Sequence, residues 1–377
     1  MNRRPVTWVA SEDRLVPRRR RVRGPGRVNL IGDHTDYNRG LALPFAIDLG
    51  VTAELTPSAA QELVVTSKEF DETVTIPLDL PGGPEDLSGM SPDWARLVGA
   101  MVALARPDSG GTVVIDSDLP IGSGLSSSAA LCVALAELFG VTSDPAGVAR
   151  LCQEAEHRCG IPVGAMDPLV CAGGKRGFAL LIEFDSLTYR EVPIPDGVDT
   201  VVVHSGLPRT LASSWYALRV AECEAAAARI GPLGAAAPSD LAGLRDPLLR
   251  RRARHVVSEC RRVRECAAAL SAGDLAAAGA LMIESHQSLA DDFEVSTPEL
   301  DALVKMLVGL PGTFGARMTG AGFGGCVVAL CQPGAIDPSS LGTPAWRVEA
   351  SDGTVAMRTE PTRDHPDARS DPGDGPA

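Results

Sequence analysis

Between residues 23 and 44 the chain reads RGPGRVNLIGDHTDYNRGLALP. Asp33, His34, Asp36 and Tyr37 crowd into one short stretch, Arg27 stands just upstream, and apolar runs flank them. Three chemistries suit such a cluster. The two aspartates can bond to local backbone in a turn. Asp33, His34 and Asp36 can ligate a metal. Or the group can grip a polyol, whose hydroxyls want several carboxylate and imidazole partners at once. A metal hydrolase would draw more His or acid ligands from elsewhere. The other histidines, at 157, 204, 255, 286 and 365, show no paired spacing. The polyol grip therefore ranks above the metal site, with the turn reading still open.

A second chemistry-bearing stretch is LPIGSGLSSSAAL, 119–131. A glycine-rich loop runs straight into an apolar helix, with three serines at the junction. A helix start offers unpaired N–H groups and a partial positive charge. Small residues let a phosphate approach the backbone, and a serine hydroxyl can donate to it or face a metal. A simple helix cap needs one serine, not three. The G-x-x-x-x-G-K-[ST] loop is absent, and GGKRG at 173–177 reads as a turn. TGAGFGG, 319–325, is no dinucleotide fingerprint, because the β-branched run CVVAL follows where a helix should start. It is either a closely packed hairpin or a wall of the site.

Two further acids stand out. Glu156 shares a helix face with Ala149, Cys152 and Cys159, so its carboxylate is part-buried and wants a donor or cation. An internal salt bridge to an arginine is the plain alternative. Asp167 sits in GIPVGAMDPLV, which reads as an apolar loop leading to a strand. It can be a helix cap or a general base.

The elements that must position these residues are mixed. Strands are expected at 27–31, 63–67, 73–76, 112–116, 178–184 and 200–206. A helix apolar nearly all round follows the serines and stops at Gly140. Another is capped by Asp144, opens on Pro145 and ends at Gly160. Alanine-rich helices are expected near 212–230, 247–270 and 274–290. GARMTGAGFGGCVVAL reads as strand, glycine turn, strand, and AWRVEAS with GTVAMR as a final strand pair. Residues 80–93 read as a loop. The fold class is α+β in two domains, 1–195 and 196–358, followed by a disordered Asp-, Pro- and Gly-rich tail, 359–377.

A formal charge of −13 disfavours a general nucleic-acid or anionic-membrane binder, although a locally positive anion site remains compatible with it. The basic run RRRRVR, 18–23, reads as a solvated lead-in to a strand. No apolar stretch is long enough to span a bilayer, and the N-terminus lacks a signal-peptide core. Nine cysteines without a C-x-x-C pair argue against zinc and a disulfide framework, and a cytoplasmic location is expected.

Taken in order, these motifs resemble the galactokinases of the GHMP small-molecule kinase superfamily. GRVNLIGDHTDYNRGLALP resembles their signature, LPIGSGLSSSAAL their phosphate loop, and MTGAGFGGCVVAL their C-terminal motif. LMIESHQSLADDFEVSTPELDALV and LASSWYALR resemble the galactokinase branch in particular. The resemblance implies a two-domain α+β fold with the active site in the inter-domain cleft. It implies ATP-dependent phosphorylation of the anomeric hydroxyl of galactose, with Mg2+ as cofactor. By position, Asp167 matches the catalytic aspartate and Arg27 its arginine. Asp33, His34, Thr35, Asp36, Gly164 and Tyr216 match the sugar-binding positions. Gly122, Ser123, Gly124, Leu125, Ser126, Ser127 and Ser128 match the ATP loop, and Ser128 with Glu156 the metal ligands. The expected partners are galactose and ATP, with no nucleic acid and no membrane, acting on a monomer.

Three positions depart from the family pattern. Asp33 stands where Glu is usual, Trp215 where Glu is usual, and RCG at 158–160 replaces a more aromatic segment. Asp33 opens the alternative of a related sugar: N-acetylgalactosamine, galacturonate or arabinose. A non-catalytic sugar and ATP sensor is the reading from another class, but such a protein should have lost part of the serine loop or the catalytic acid.

Overall fold

The computed structural model describes residues 19–357, apart from 121, 162 and 208–211 and the side chains of 212–214. The tail expected from 359 lies outside the described residues.

In chain order the first elements are β1 (Arg20–Asn29), β2 (Leu41–Ala42), β3 (Pro44–Ser58), β4 (Glu62–Ser67), β5 (Glu72–Pro77), α1 (Pro84–Ser88), α2 (Asp93–Ala105) and β6 (Gly110–Ser117). There follow α3 (Ser127–Leu138), α4 (Pro145–Arg158), α5 (Met166–Gly173), β7 (Phe178–Glu183), β8 (Thr188–Pro193) and β9 (Asp199–His204). The rest are α6 (Ala212–Ile230), α7 (Pro247–Ser271), α8 (Leu275–Asp291), α9 (Pro298–Val308), β10 (Thr313–Thr319), β11 (Cys326–Cys331), β12 (Ala345–Val348) and β13 (Val355–Met357).

A six-stranded sheet has the order β13-β1-β3-β6-β4-β5, with β4 and β6 its parallel pair. Val51, Ala53 and Leu55 of β3 are buried while Thr52 and Glu54 between them are not, the two-residue period of a half-buried strand. Helix α3 lies across β1 and β3 and is itself covered by α2, α4 and α5. That explains its apolar circumference, since from Ala129 to Leu138 all but Glu137 are buried. A four-stranded antiparallel sheet, β10-β11-β9-β12, packs against α8 and α9. A third sheet, β2-β7-β8, closes the side next to α5.

Local signals were accurate where one residue decides the outcome. Asp144 caps α4 by accepting from Gly147 N at 2.7 Å, Pro145 opens the helix, and Gly160 follows it with φ +77°. Gly140 stops α3 with φ +80°.

Four expectations need correction. From Arg20 the basic run is strand itself, the start of β1, with Val22 buried between Arg21 and Arg23. The stretch 80–93 holds the short helix α1 and the start of α2. Asp167 lies in the first turn of a helix, α5, and no strand follows it directly. The last two strands do not pair with each other. β12 joins β9, whereas β13 crosses back to β1 in the first sheet. The crossing follows from the link between them, where Ser351 N donates to Ala46 O at 2.8 Å and Arg176 N to Asp352 Oδ1 at 3.0 Å.

Candidate active site

Arg27 sits on β1 at a bulge beyond Pro25, and Asp167 in the first turn of α5. Arg27 Nε donates to Asp167 Oδ1 at 2.8 Å and Nη2 to Oδ2 at 2.7 Å, a two-pronged grip with the arginine buried. Its remaining nitrogen, Nη1, donates to the Gly124 carbonyl at 2.8 Å. Burial works against the Arg27 charge, but Asp167 outweighs it and the pKa is raised. Asp167 stays 31% exposed, so one side of the gripped carboxylate faces the cleft.

The glycine-serine loop closes on this pair. Arg27 N donates to Leu125 O at 3.1 Å, and a side chain at Gly26 would place its Cβ 2.7 Å from that oxygen. Glycine at 26 thus lets the loop lie on β1. Ser126, at φ +67°, spends its hydroxyl on Asp167 Oδ2 at 2.5 Å and not on capping α3. The first N–H groups of α3 are left for another acceptor. Gly122 and Ser127 are exposed and Ser128 partly so, whereas Ser123 is buried with its hydroxyl on Pro120 O at 2.8 Å.

Ser128 hydrogen-bonds to Glu156, and burial raises that carboxyl to about 7. Glu156 forms no ion pair with a basic side chain among the described residues, so the expected alternative of an internal arginine bridge does not occur. A buried carboxylate without a counter-charge, beside a hydroxyl at a phosphate-type loop, suits a hard divalent cation that completes its shell with phosphate oxygens and water. The residues fit magnesium.

Next to the loop lies a cavity of about 260 Å3, walled by Leu97, Ile115, Leu119, Leu131, Phe70 and Trp94, with Gly122, Ser127 and Ser128 at its edge. The motif reading did not find it. Its residues come from several strands, helices and loops with no common spacing. One signal was open in the sequence: Phe70 lies in a polar turn between two strands, where a large ring has no core to enter, and it is 46% exposed.

The signature cluster divides. Asp33, His34 and Thr35 turn inward. Asp33 pairs with Arg317 of β10 at 2.6 Å, both essentially buried, and accepts from Gly320 N at 2.9 Å. His34 Nε2 lies 3.2 Å from Ala321 O, a pure acceptor, so Nε2 carries the proton and Nδ1 accepts from Tyr37 OH at 2.9 Å. Burial, with repulsion from His255, lowers its pKa to about 3, which keeps the ring neutral. The Thr35 hydroxyl lies 2.8 and 2.7 Å from Gly32 O and Leu41 O. Asp36 and Tyr37 turn to the cleft. A Cβ on Gly164 would stand 1.7 Å from Asp36 Oδ2, so any side chain there would displace the Asp36 carboxylate. Burial raises the Asp36 pKa to about 6, with Asp167 and Asp33 adding to the shift. Tyr216 packs on the same cluster, 5.7 Å from the His34 ring and 5.4 Å from that of Tyr37. Asp36, Gly164 and Tyr216 border a cleft of about 550 Å3.

Beneath the signature Glu259 accepts from Gly32 N at 3.0 Å and from Ser285 Oγ at 2.5 Å, and pairs with Arg262. Motif reading missed this layer. An arginine inside the apolar strand run GARMT was the one signal for it.

With that geometry established, comparison with known proteins is direct. Residues 16–57 match the galactokinase galactose-binding signature, 95–175 the GHMP kinase N-terminal domain, and 266–337 the GHMP kinase C-terminal domain. A human galactokinase is 43% identical over 329 residues, covering 83% of this chain and 84% of its own. The chain belongs to the galactokinase family. A galactokinase of Roseiflexus is 41% identical over 335 residues, covering 84% of each chain. Among solved structures, Lactococcus lactis galactokinase complexed with galactose superposes with a TM-score of 0.82 at 30% identity, covering 91% of this chain and 96% of its own. Methanococcus jannaschii mevalonate kinase shares the fold alone, with a TM-score of 0.63 at 18% identity. No helix among the described residues is long and apolar enough to cross a membrane.

Proposed function

We propose that this galactokinase-family protein phosphorylates the anomeric hydroxyl of D-galactose with ATP, giving galactose 1-phosphate and ADP. The observation that carries the site assignment is Asp167. Its carboxylate is gripped by Arg27, touched by Ser126 of the glycine-serine loop and flanked by Asp36 and Gly164. One acid thus links the glycine-serine loop to the Asp36 side of the site.

The sugar lies between Asp36, Gly164 and Tyr216, and the nucleotide base in the apolar cavity beside Trp94. The N–H groups at the start of α3 receive the phosphates. Ser128 and Glu156 hold magnesium, which supplies charge neutralisation on the phosphates when bound. Asp167 accepts the proton of the C1 hydroxyl as its oxygen bonds to the γ-phosphorus and the bond to the ADP oxygen breaks. Arg27 keeps the acceptor oriented and adds positive charge near the transferring group. Such transfer needs positioning and charge balance more than a strong base.

A coupled ADP-release assay across galactose, 2-deoxygalactose, N-acetylgalactosamine, galacturonate, glucose and arabinose tests the reading. Turnover is expected to be best on galactose. Preference for another sugar moves the substrate, and no turnover on any of them defeats the kinase reading.

A further inference from the structure

Helix α4 serves both sides of the cleft. Glu156 is buried toward Ser128, while Gln153 and His157, one turn apart, lie on an outer face. Gln153 Nε2 donates to the Val163 carbonyl at 2.9 Å, and His157 Nε2 meets the same oxygen at 3.2 Å. A carbonyl only accepts, so both contacts are donations and both lone pairs are engaged. The residue after this doubly held carbonyl is Gly164, the glycine seated against Asp36, and α5 with Asp167 starts two residues later. Gln153 and His157 also border the 550 Å3 cleft together with Asp36, Gly164 and Tyr216.

We propose that Gln153 and His157 are positioning residues for the sugar. By fixing the Val163 carbonyl they seat Gly164 against Asp36 and so set the width of the sugar subsite. This rests on the sugar-kinase reading above. Neither residue lines the nucleotide cavity, so their effect falls on sugar and spares ATP.

The test uses Gln153→Ala, His157→Ala and the double variant, since alanine keeps the helix intact. Galactose affinity is measured by calorimetry and steady-state constants by ADP release. Each single variant keeps one donor, so the galactose Kd and KM rise about threefold. With both donors gone no side chain fixes the carbonyl, and the rise reaches about thirtyfold or more, beyond the product of the singles. KM for ATP stays within about twofold. His157→Gln, whose amide nitrogen can reach the same oxygen, restores galactose affinity to within about twofold of wild type. A double variant with unchanged galactose affinity overturns the proposal. So does equal weakening of galactose and ATP with a lowered Tm, the mark of a merely structural role. A wild-type protein that binds galactose without turning it over defeats the kinase reading and leaves the binding comparison valid. One that binds no galactose overturns both.

Discussion

The two sides of the cleft are built from opposite materials. The nucleotide side is small and lightly charged: glycines 122 and 124, exposed Ser127, the free start of α3 and an apolar cavity, with Glu156 as its one buried acid. The sugar side rests on a dense ionic layer, with Asp33 on Arg317, Glu259 on Arg262, and His34 and Thr35 fully engaged. On both sides a group already ion-paired or hydrogen-bonded within the protein holds shape, and an acid left without a counter-charge marks where a ligand belongs. Glu156 and Asp36 are the two acids of the site with no ion-pair partner among the described residues, and burial raises both pKa values. A buried polar group without partners costs free energy until a ligand supplies them.

Asp167 lies where the two sides meet, and its loss should have the largest effect. Asp167→Asn keeps size and removes the proton acceptor and the charge facing Arg27. Turnover is expected to fall about 10^3-fold or more, with sugar affinity changed little. Rapid-quench turnover beside calorimetric galactose binding checks this. Near-normal turnover would remove Asp167 from the chemistry.

On the nucleotide side, Glu156→Gln should weaken magnesium binding, shifting the magnesium curve to higher concentration, and raise KM for MgATP about tenfold to a hundredfold, while leaving galactose binding intact. Titrating magnesium at fixed ATP gives the answer. A variant with the wild-type magnesium curve would reduce Glu156 to a partner of Ser128.

On the sugar side, Asp36→Asn should show a trade of activity for stability. The ordinary carboxyl value of 3.8 is raised to about 6 in the fold. Below pH 3.8 the group is protonated folded and unfolded, and it costs nothing. As pH rises through about 6 the folded protein must hold a recessed carboxylate, and stability is lost. The loss at pH 8 is at most about 3 kcal/mol, less whatever solvent screens on the open side. Asp36→Asn should therefore raise Tm by a few degrees at pH 8 and leave it unchanged near pH 4, while galactose KM rises about tenfold. In the wild type kcat/KM for galactose should fall on the acid side with an apparent pKa of about 6, and that limb should vanish in the variant. Thermal scans and pH profiles on both proteins decide it.

How much was legible in the sequence follows the same division. Gly124, Ser126 and Ser128 lie in one short segment, and Asp144, Gly140 and Gly160 act on their own helix ends, so local reading found them. The apolar cavity was not legible, because Phe70, Trp94, Leu131 and Ile161 meet only after the strands and helices pack. The pairing of Asp33 with Arg317 joins the signature to a strand near the other end of the chain, and no spacing rule reports that. Asp167 was identified as a residue, but its helix was not. A Pro at 168 argues for a loop unless it falls in a first helical turn, where its missing N–H does no harm.

Asp33 is the subtlest contrast, since the family's usual Glu differs by one methylene. Were the carboxylate a sugar contact, Asp33→Glu would extend it into the cleft and reorder the sugar preferences. Here both of its oxygens face protein: Oδ1 accepts from Gly320 N, and Oδ2 is ion-paired with the Arg317 guanidinium at 2.6 Å without an aligned hydrogen bond. The side chain is 2% exposed. The longer acid must then fit an extra methylene against a buried arginine, a typical cost of about 1–3 kcal/mol. Asp33→Glu should lower Tm by several degrees, alter galactose KM no more than about threefold, and keep the ranking of sugars. The sugar panel run on wild type and variant side by side checks this. A changed ranking at unchanged Tm would show that residue 33 reads the sugar directly, and would move it from the ion-paired set to the ligand-facing one.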